Sequence, residues 1–242
     1  MLSIVLNKLL FVIAISAMMS CGEKSSSKNN MELVVYEPPK LFTIFQTDSR
    51  EFTFAGHTVN ISQDWETNGV AAVVWDAALV LVKYLETMVD LTGKRVIELG
   101  AGTGLVGIVA GYLGAQVTIT DRRMALDLAH DNVKRNIKNL NSSSVDVREL
   151  EWGQDVSPFK PPFDYILGAD IVYIEDTFPQ LLQTITELSD IRTIVLLSCK
   201  IRYKRDRNFL GLLNEKFEIS KVHYDENVDI YIYKAVKRVD KK

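Results

Sequence analysis

The stretch Val96-Ile97-Glu98-Leu99-Gly100-Ala101-Gly102-Thr103-Gly104 decides how the rest of the chain is read. Its apolar start is a strand, its three alternating glycines end that strand, and Leu105 to Leu113 continues as an apolar helix. Glycine lets the chain turn sharply and lets a ligand approach the backbone closely. In a doubly wound α/β sheet such a turn lies at the carboxyl edge, where nucleotides bind. Asp121 follows Gly100 by twenty-one residues and ends the next expected strand, 116–120. A carboxylate there accepts both hydroxyls of a ribose.

Two cofactor classes compete for this turn. A dinucleotide fingerprint, G-x-G-x-x-G, requires glycine at position 105, where the chain has Leu105. A pyrophosphate also requires free amides at the helix start. The form E-x-G-x-G-x-G, with Glu98 two residues before Gly100, instead marks enzymes that use S-adenosylmethionine. That cofactor carries no phosphate, and its ribose and amino acid end need carboxylate and backbone partners. Two tryptophans fit its adenine end. Trp152 follows the third strand and is placed to stack on a purine, and Trp75 lies on a helix expected over 71–87 that caps the cofactor.

Outward from the turn, strands and helices alternate. Strands are expected at 144–150, 163–168 and 193–198, and helices at 124–137 and 178–188. The second of these helices carries Phe178, Leu181, Leu182, Ile185 and Leu188 on one stripe. Thr193 to Ser198 is a continuous apolar run, as a buried parallel strand requires. A helix near 206–216 and two strands, about 218–224 and 228–237, close the chain, the last two antiparallel. Upstream, Glu51–Phe54 and Thr58–Ile61 flank Ala55-Gly56-His57 as a hairpin. The pattern is α/β: a doubly wound, mostly parallel sheet covered on both faces.

Composition agrees. The chain has 242 residues, 47% hydrophobic, 24% charged and 9% aromatic, which excludes bulk disorder. A chain of this length buries roughly 70–75% of its unfolded surface without staples. Its 28 basic and 31 acidic residues give a net charge of −3, which argues against a general nucleic-acid binder. Cys21 and Cys199 make no disulfide framework, and His57, His130 and His223 lie too far apart in sequence for zinc-ligand spacing. No metal is expected.

Residues 1–30 stand apart. The apolar run from Leu9 to Met19, with Lys8 before it and Met19-Ser20-Cys21-Gly22 after it, has the length of a signal peptide and is too short to span a bilayer. Alone it reads as a signal or an anchor. The body of the chain points to a cytosolic cofactor, which favours Met31 as the usual start and residues 1–30 as a leader or gene-model extension. The domain is then 31–242, with Cys199 its lone thiol, suited to a reducing compartment. A cytoplasmic protein is expected. The sequons at Asn60 and Asn141 matter only if the chain is secreted.

Gly168-Ala169-Asp170-Ile171-Val172-Tyr173 ends the fourth strand and brings Asp170 and Tyr173 beside the transferable methyl. Their bland readings are a helix cap and a packing aromatic. Here the chain resembles the seven-stranded protein-lysine methyltransferases called family sixteen, which carry D-x-x-Y at this position. The matching stretches include Gly69 to Asp76, Glu98 to Gly107, Thr118 to Arg122, Trp152-Gly153-Gln154, Ile166 to Tyr173 and Ile201-Arg202-Tyr203. The likeness runs from Met31 to about Arg238 and omits residues 1–30. Within the family it resembles the branch that trimethylates a lysine of DnaK-type heat-shock chaperones.

The resemblance implies a sheet of order 3-2-1-4-5-7-6 with the seventh strand antiparallel. It implies cofactor contacts from Trp75, Gly100, Ala101, Gly102, Asp121, Trp152 and Ala169. Asp170 and Tyr173 would face the target lysine. A monomer with a protein substrate, and with neither nucleic acid nor membrane as partner of the body, is expected. A nicotinamide oxidoreductase and a non-catalytic module that keeps the fold are the rival classes. Arg202, Arg205 and Arg207 read as a solvated loop in preference to a docking patch for an acidic protein surface.

Overall fold

Residues 47–137 and 144–239 are described by a computed structural model of the chain. They fall within one unit, Pro39–Lys242. The leader, the start at Met31, the Asn141 sequon and Lys241-Lys242 lie outside the described residues.

The period-two and period-3.6 segments form the expected elements. A hairpin comes first, β1 (Ser49–Phe54) with β2 (His57–Ser62), paired from Ser49 opposite Ser62 to Phe54 opposite His57. Next come a short α1 (Trp65–Asn68), a 3-10 turn at Gly69–Ala72, and α2 (Asp76–Met88). The alternating body follows: β3 (Arg95–Leu99), α3 (Leu105–Tyr112), β4 (Gln116–Asp121), α4 (Arg123–Asn136), β5 (Val145–Glu149), β6 (Tyr165–Ala169), α5 (Phe178–Leu188), β7 (Ile194–Cys199), α6 (Lys204–Lys216), β8 (Phe217–Asp225) and β9 (Ile230–Lys237).

The sheet runs β5-β4-β3-β6-β7-β9-β8. Counted along the sheet-forming body, this is the order 3-2-1-4-5-7-6. Strands β3 to β7 are mutually parallel, and β9 lies antiparallel to both β7 and β8. The pleat sends neighbouring side chains to opposite faces. Val96 therefore joins a core with Leu81, Leu85, Ile108 and Val109. Ile97 and Leu99 join a second core with Phe178, Leu181, Ile185, Phe209 and Leu213. Strands covered on both faces need apolar residues throughout, and that is why β7 reads as an unbroken apolar run.

One element departs from expectation. The helix anticipated over 71–87 is interrupted, and α2 begins only at Asp76, with Trp75 as its N-cap. Side chains from the hairpin region capture the backbone at the break. Val74 N–H donates to Gln63 Oε1 at 2.9 Å, and Arg50 Nη1 donates to the Val74 carbonyl at 3.0 Å. A backbone already bonded to side chains has no reason to continue its helix. Two asparagines of α4 fasten the hairpin in the same way. Asn136 exchanges both amide hydrogen bonds with the Asn60 backbone, and Asn132 does so with Ser62.

Candidate active site

Five parallel strands end at one edge, and each is followed there by a functional candidate. The glycine bend follows β3, Asp121 closes β4, Trp152 comes after β5, Asp170 after β6, and Arg202 after β7. Parallel pairing brings together residues far apart in sequence, at the edge where α/β proteins bind their ligands.

The bend is left-handed at Gly100, Gly102 and Gly104, with φ of 61°, 55° and 79°. It is also crowded. A Cβ on Gly102 would lie 2.6 Å from the Ala71 carbonyl oxygen, and one on Gly100 would lie 2.9 Å from Ile171 Cγ2 and 3.2 Å from Trp152 Cζ2. The 3-10 turn and the Trp152 ring are thus packed directly on the bend. Trp75 Nε1–H donates to the Val70 carbonyl at 2.9 Å, which pins the indole to the segment overlying Gly102. Asn132 supports the bend from the other side, donating to the Thr103 carbonyl at 3.0 Å.

Asp121 is bound to the bend itself. Its Oδ2 accepts from Gly102 N–H at 2.8 Å and its Oδ1 from Arg122 N–H at 2.7 Å. Burial pushes its pKa up, while the two amides and the Arg122 charge pull it down. A carboxylate offers about four lone-pair sites, so each oxygen keeps capacity for a hydroxyl. Glu98 has a different task. Buried beneath the bend, its Oε2 accepts from Gly107 N–H in the first turn of α3 at 2.8 Å. There it meets a donor that helix geometry leaves unpaired. Burial raises its pKa to about 8, against the pull of the Gly107 amide, with Asp121 adding to the rise.

Asp170 is built into the opposite half of the edge. Its φ is 53°, left-handed for a residue with a side chain, and its N–H donates to the Ser198 carbonyl at 2.8 Å. It does not cap the helix that follows, whose N-cap is Thr177. Its carboxylate receives a fork from Arg202, Nη1 to Oδ1 at 3.2 Å and Nη2 to Oδ2 at 3.3 Å. Arg202 is an exposed loop residue, as read from sequence, but its head group is paired with Asp170, which the sequence did not show. Arg205 likewise packs its guanidinium over the Tyr203 ring at 4.7 Å. Tyr173 is half-buried between the two halves. Burial raises its pKa, and it feels the charges of Arg122, Asp121 and Asp170 in that order. Ala169, the last residue of β6, pairs with Ser198. Beneath Asp170 and Arg202, the Cys199 thiol is buried and pushed up to about 12, first by burial and then by Asp170 and Asp206, so it is not a nucleophile.

The fold and this edge are those of a doubly wound α/β protein with its ligand cleft at the carboxyl ends of the strands. A family model described as "Lysine methyltransferase" matches residues 53–216, and the chain belongs to that family. It is 55% identical to the protein N-lysine methyltransferase METTL21A of Danio rerio, over 86% of this chain and 97% of that protein. It is 43% identical to the EEF1A lysine methyltransferase 3 of Mus musculus, over 88% and 93%. Among solved structures, the 16S rRNA N2 G1207 methyltransferase of T. thermophilus shares the fold at a TM-score of 0.60 and 18% identity, over 78% of this chain and 50% of that one.

The residues missed in the sequence were Asn132 and the Asp170 partner Arg202. A signal existed for the second. β6 and β7 are adjacent parallel strands, so residues just past their ends meet, and Ala169 opposite Ser198 puts Asp170 and Arg202 within reach.

Proposed function

We propose that this protein trimethylates a lysine of a DnaK-type heat-shock chaperone in the cytoplasm, acting as a monomer. Methyl transfer to a protein lysine is its family's chemistry, and S-adenosylmethionine is the methyl donor. When bound, that donor supplies a methyl carbon activated by a positive sulfur.

The residues present suit such a donor. Gly100 and Gly102 carry no side chain of their own into a tightly packed bend, and Asp121 offers lone pairs fixed by Gly102 and Arg122. Trp152 brings its ring edge beside Gly100 and Trp75 secures the overlying segment, while Ala169 ends the neighbouring strand β6. None of these groups calls for a phosphate. That fits a sulfonium nucleoside better than a dinucleotide, the oxidoreductase alternative.

On the acceptor side, a free lysine has a pKa of about 10.4, so its ammonium must lose a proton before nitrogen can attack. Asp170 accepts a hydrogen bond from the ε-nitrogen and aims its lone pair along the line of the methyl. Tyr173 lines the passage by which the aliphatic stem enters. Holding a non-glycine residue left-handed costs free energy of order 1 kcal/mol or more, and such strain gathers where a side chain must be aimed. The observation that carries the reading is this aimed Asp170, one strand end beyond the glycine bend.

The resemblance to the chaperone-modifying branch favours the chaperone. The likeness to an elongation factor 1A methyltransferase makes that factor the second reading. Incubating the enzyme and donor with each purified protein, followed by mass spectrometry of lysine peptides, separates the two. A +42 Da lysine on the chaperone is expected. Modification of elongation factor 1A alone would move the assignment to the second substrate.

A further inference from the structure

Asp170 poses a problem for the chemistry assigned to it. A bare carboxylate within about 4–6 Å of an amine favours the ammonium and raises its pKa by 1–3 units. An ammonium has no lone pair to attack with. A lone Asp170 would therefore position the lysine and at the same time keep it unreactive.

The structure supplies an opposing charge. The Arg202 guanidinium meets both Asp170 oxygens in a fork, the geometry that fixes a carboxylate most firmly. The pair is half-buried, with side-chain exposures of 30% for Arg202 and 13% for Asp170, so bulk water screens it incompletely. The fork uses one lone pair on each oxygen and leaves acceptor capacity for an incoming N–H.

Both partners are anchored from behind. Asp170 is tied by its own N–H to the Ser198 carbonyl of β7. Asp206, buried in the first turn of α6, accepts at Oδ2 from the backbone N–H groups of Arg202 and Tyr203, each at 2.8 Å. Burial works against the Arg202 charge, but Asp170 and Asp206 outweigh it, so the guanidinium stays charged.

The other titratable groups facing this pair leave its balance intact. Arg205 Nε lies 3.6 Å from Asp206 Oδ1 and offsets that carboxylate. The Cys199 thiol is neutral, and so is the Tyr173 phenol, beyond which Asp121 and Arg122 again oppose each other.

We infer that Arg202 is a positioning residue for methyl transfer: by forking onto Asp170 it aims the carboxylate and cancels its charge, so that the acceptor lysine enters the reaction as a neutral amine. The inference rests on the reading of Asp170 as the group facing that lysine. The balance is simple. The ammonium proton leaves to water, the nitrogen lone pair forms the new N–C bond, and the C–S bond breaks onto sulfur, releasing the neutral thioether.

The test is the pH dependence of the initial rate, measured as tritiated methyl incorporation from S-adenosylmethionine into extract of cells lacking the enzyme, with the no-enzyme blank subtracted. For Arg202→Gln the rising limb is expected to move about one unit alkaline. The loss is then about tenfold at pH 7 and shrinks only as the pH passes the wild-type limb, while donor affinity by calorimetry stays within about twofold. Arg202→Lys keeps the charge without the fork, so its limb should stay at the wild-type position with a lower ceiling. A uniform loss in Arg202→Gln with an unmoved limb would overturn the inference and leave the role of Asp170 standing. An Asp170→Asn enzyme as active as wild type would remove the underlying reading itself. Should Arg202→Gln fail to fold, the Arg202→Lys limb decides: a shift like that expected for glutamine refutes the charge argument.

Discussion

Asp121 and Asp170 follow the two strands that flank β3, yet they are held by opposite means. Asp121 is satisfied by backbone amides, Gly102 N–H and Arg122 N–H, and these amides come from the bend and the chain beside it. Asp170 is satisfied by a guanidinium that arrives from the end of another strand. Asp121 takes its hydrogen bonds from neutral, fixed amides, and the Arg122 charge acts on it without forking onto its oxygens, so both oxygens stay open to hydroxyl donors. A guanidinium is charged, so Asp170 presents lone pairs with little net charge. The first arrangement suits the grip of a ribose. The second suits a reaction in which an amine must shed its proton.

The sharpest way to break this contrast is to fill the bend. Gly102→Val forces a side chain against the Ala71 carbonyl at a left-handed φ. Donor affinity by calorimetry should fall by about a hundredfold or more, the combined cost of strain and overlap. Retained affinity would detach the donor from the bend.

Next in size is the acceptor side. Asp170→Ala should lower methyl transfer by at least about tenfold, ~1.4 kcal/mol of lost positioning, with donor affinity unchanged. Asp121→Ala should do the reverse. Removing a carboxylate that also organises Gly102 N–H should weaken donor binding by roughly tenfold, the scale of one charged hydrogen bond. If both variants lose donor and rate alike, the two halves are not separate devices.

The smallest effect is on stability and comes from Glu98. Its pKa is raised from 4.5 to about 8 in the fold. The folded state therefore holds a proton that the unfolded chain releases. This group's stabilisation is fullest below 4.5 and is lost as pH rises through about 8. Glu98→Gln, which does not titrate, should flatten the fall in Tm between pH 6 and 9 and raise Tm at pH 9 by about 3 °C. Parallel wild-type and variant curves in scanning calorimetry would contradict the burial argument.

How much of this was legible in sequence follows from the range of each contact. The glycine bend, Asp121 and the alternation of strands and helices are written in local pattern, in apolar runs, glycine spacing and turn residues, whereas the sheet order came from the family resemblance and not from any local signal. Trp75 was misplaced within a helix because the break before α2 is made by Arg50 and Gln63, side chains with no periodic signature. Asn132 and Asn136 looked like ordinary polar residues of an amphipathic helix, whereas each spends its amide on a strand about seventy residues away in sequence. Arg202 sat in a basic cluster, the commonest appearance of a solvated loop, and only strand register brings it to Asp170. Local chemistry can be read from the chain, but pairing across the sheet edge needs the fold.

The central claim is that the donor lies in the Gly100–Gly104 bend with an acceptor nitrogen beside Asp170. A crystal structure of the enzyme with S-adenosylhomocysteine and a lysine peptide from the methylated protein tests it most directly. The ribose should be gripped by Asp121, the sulfur should face the opening beside Asp170, and the lysine nitrogen should lie within hydrogen-bond reach of that carboxylate. A lysine nitrogen that enters away from Asp170, or a ribose out of contact with Asp121, would contradict the account.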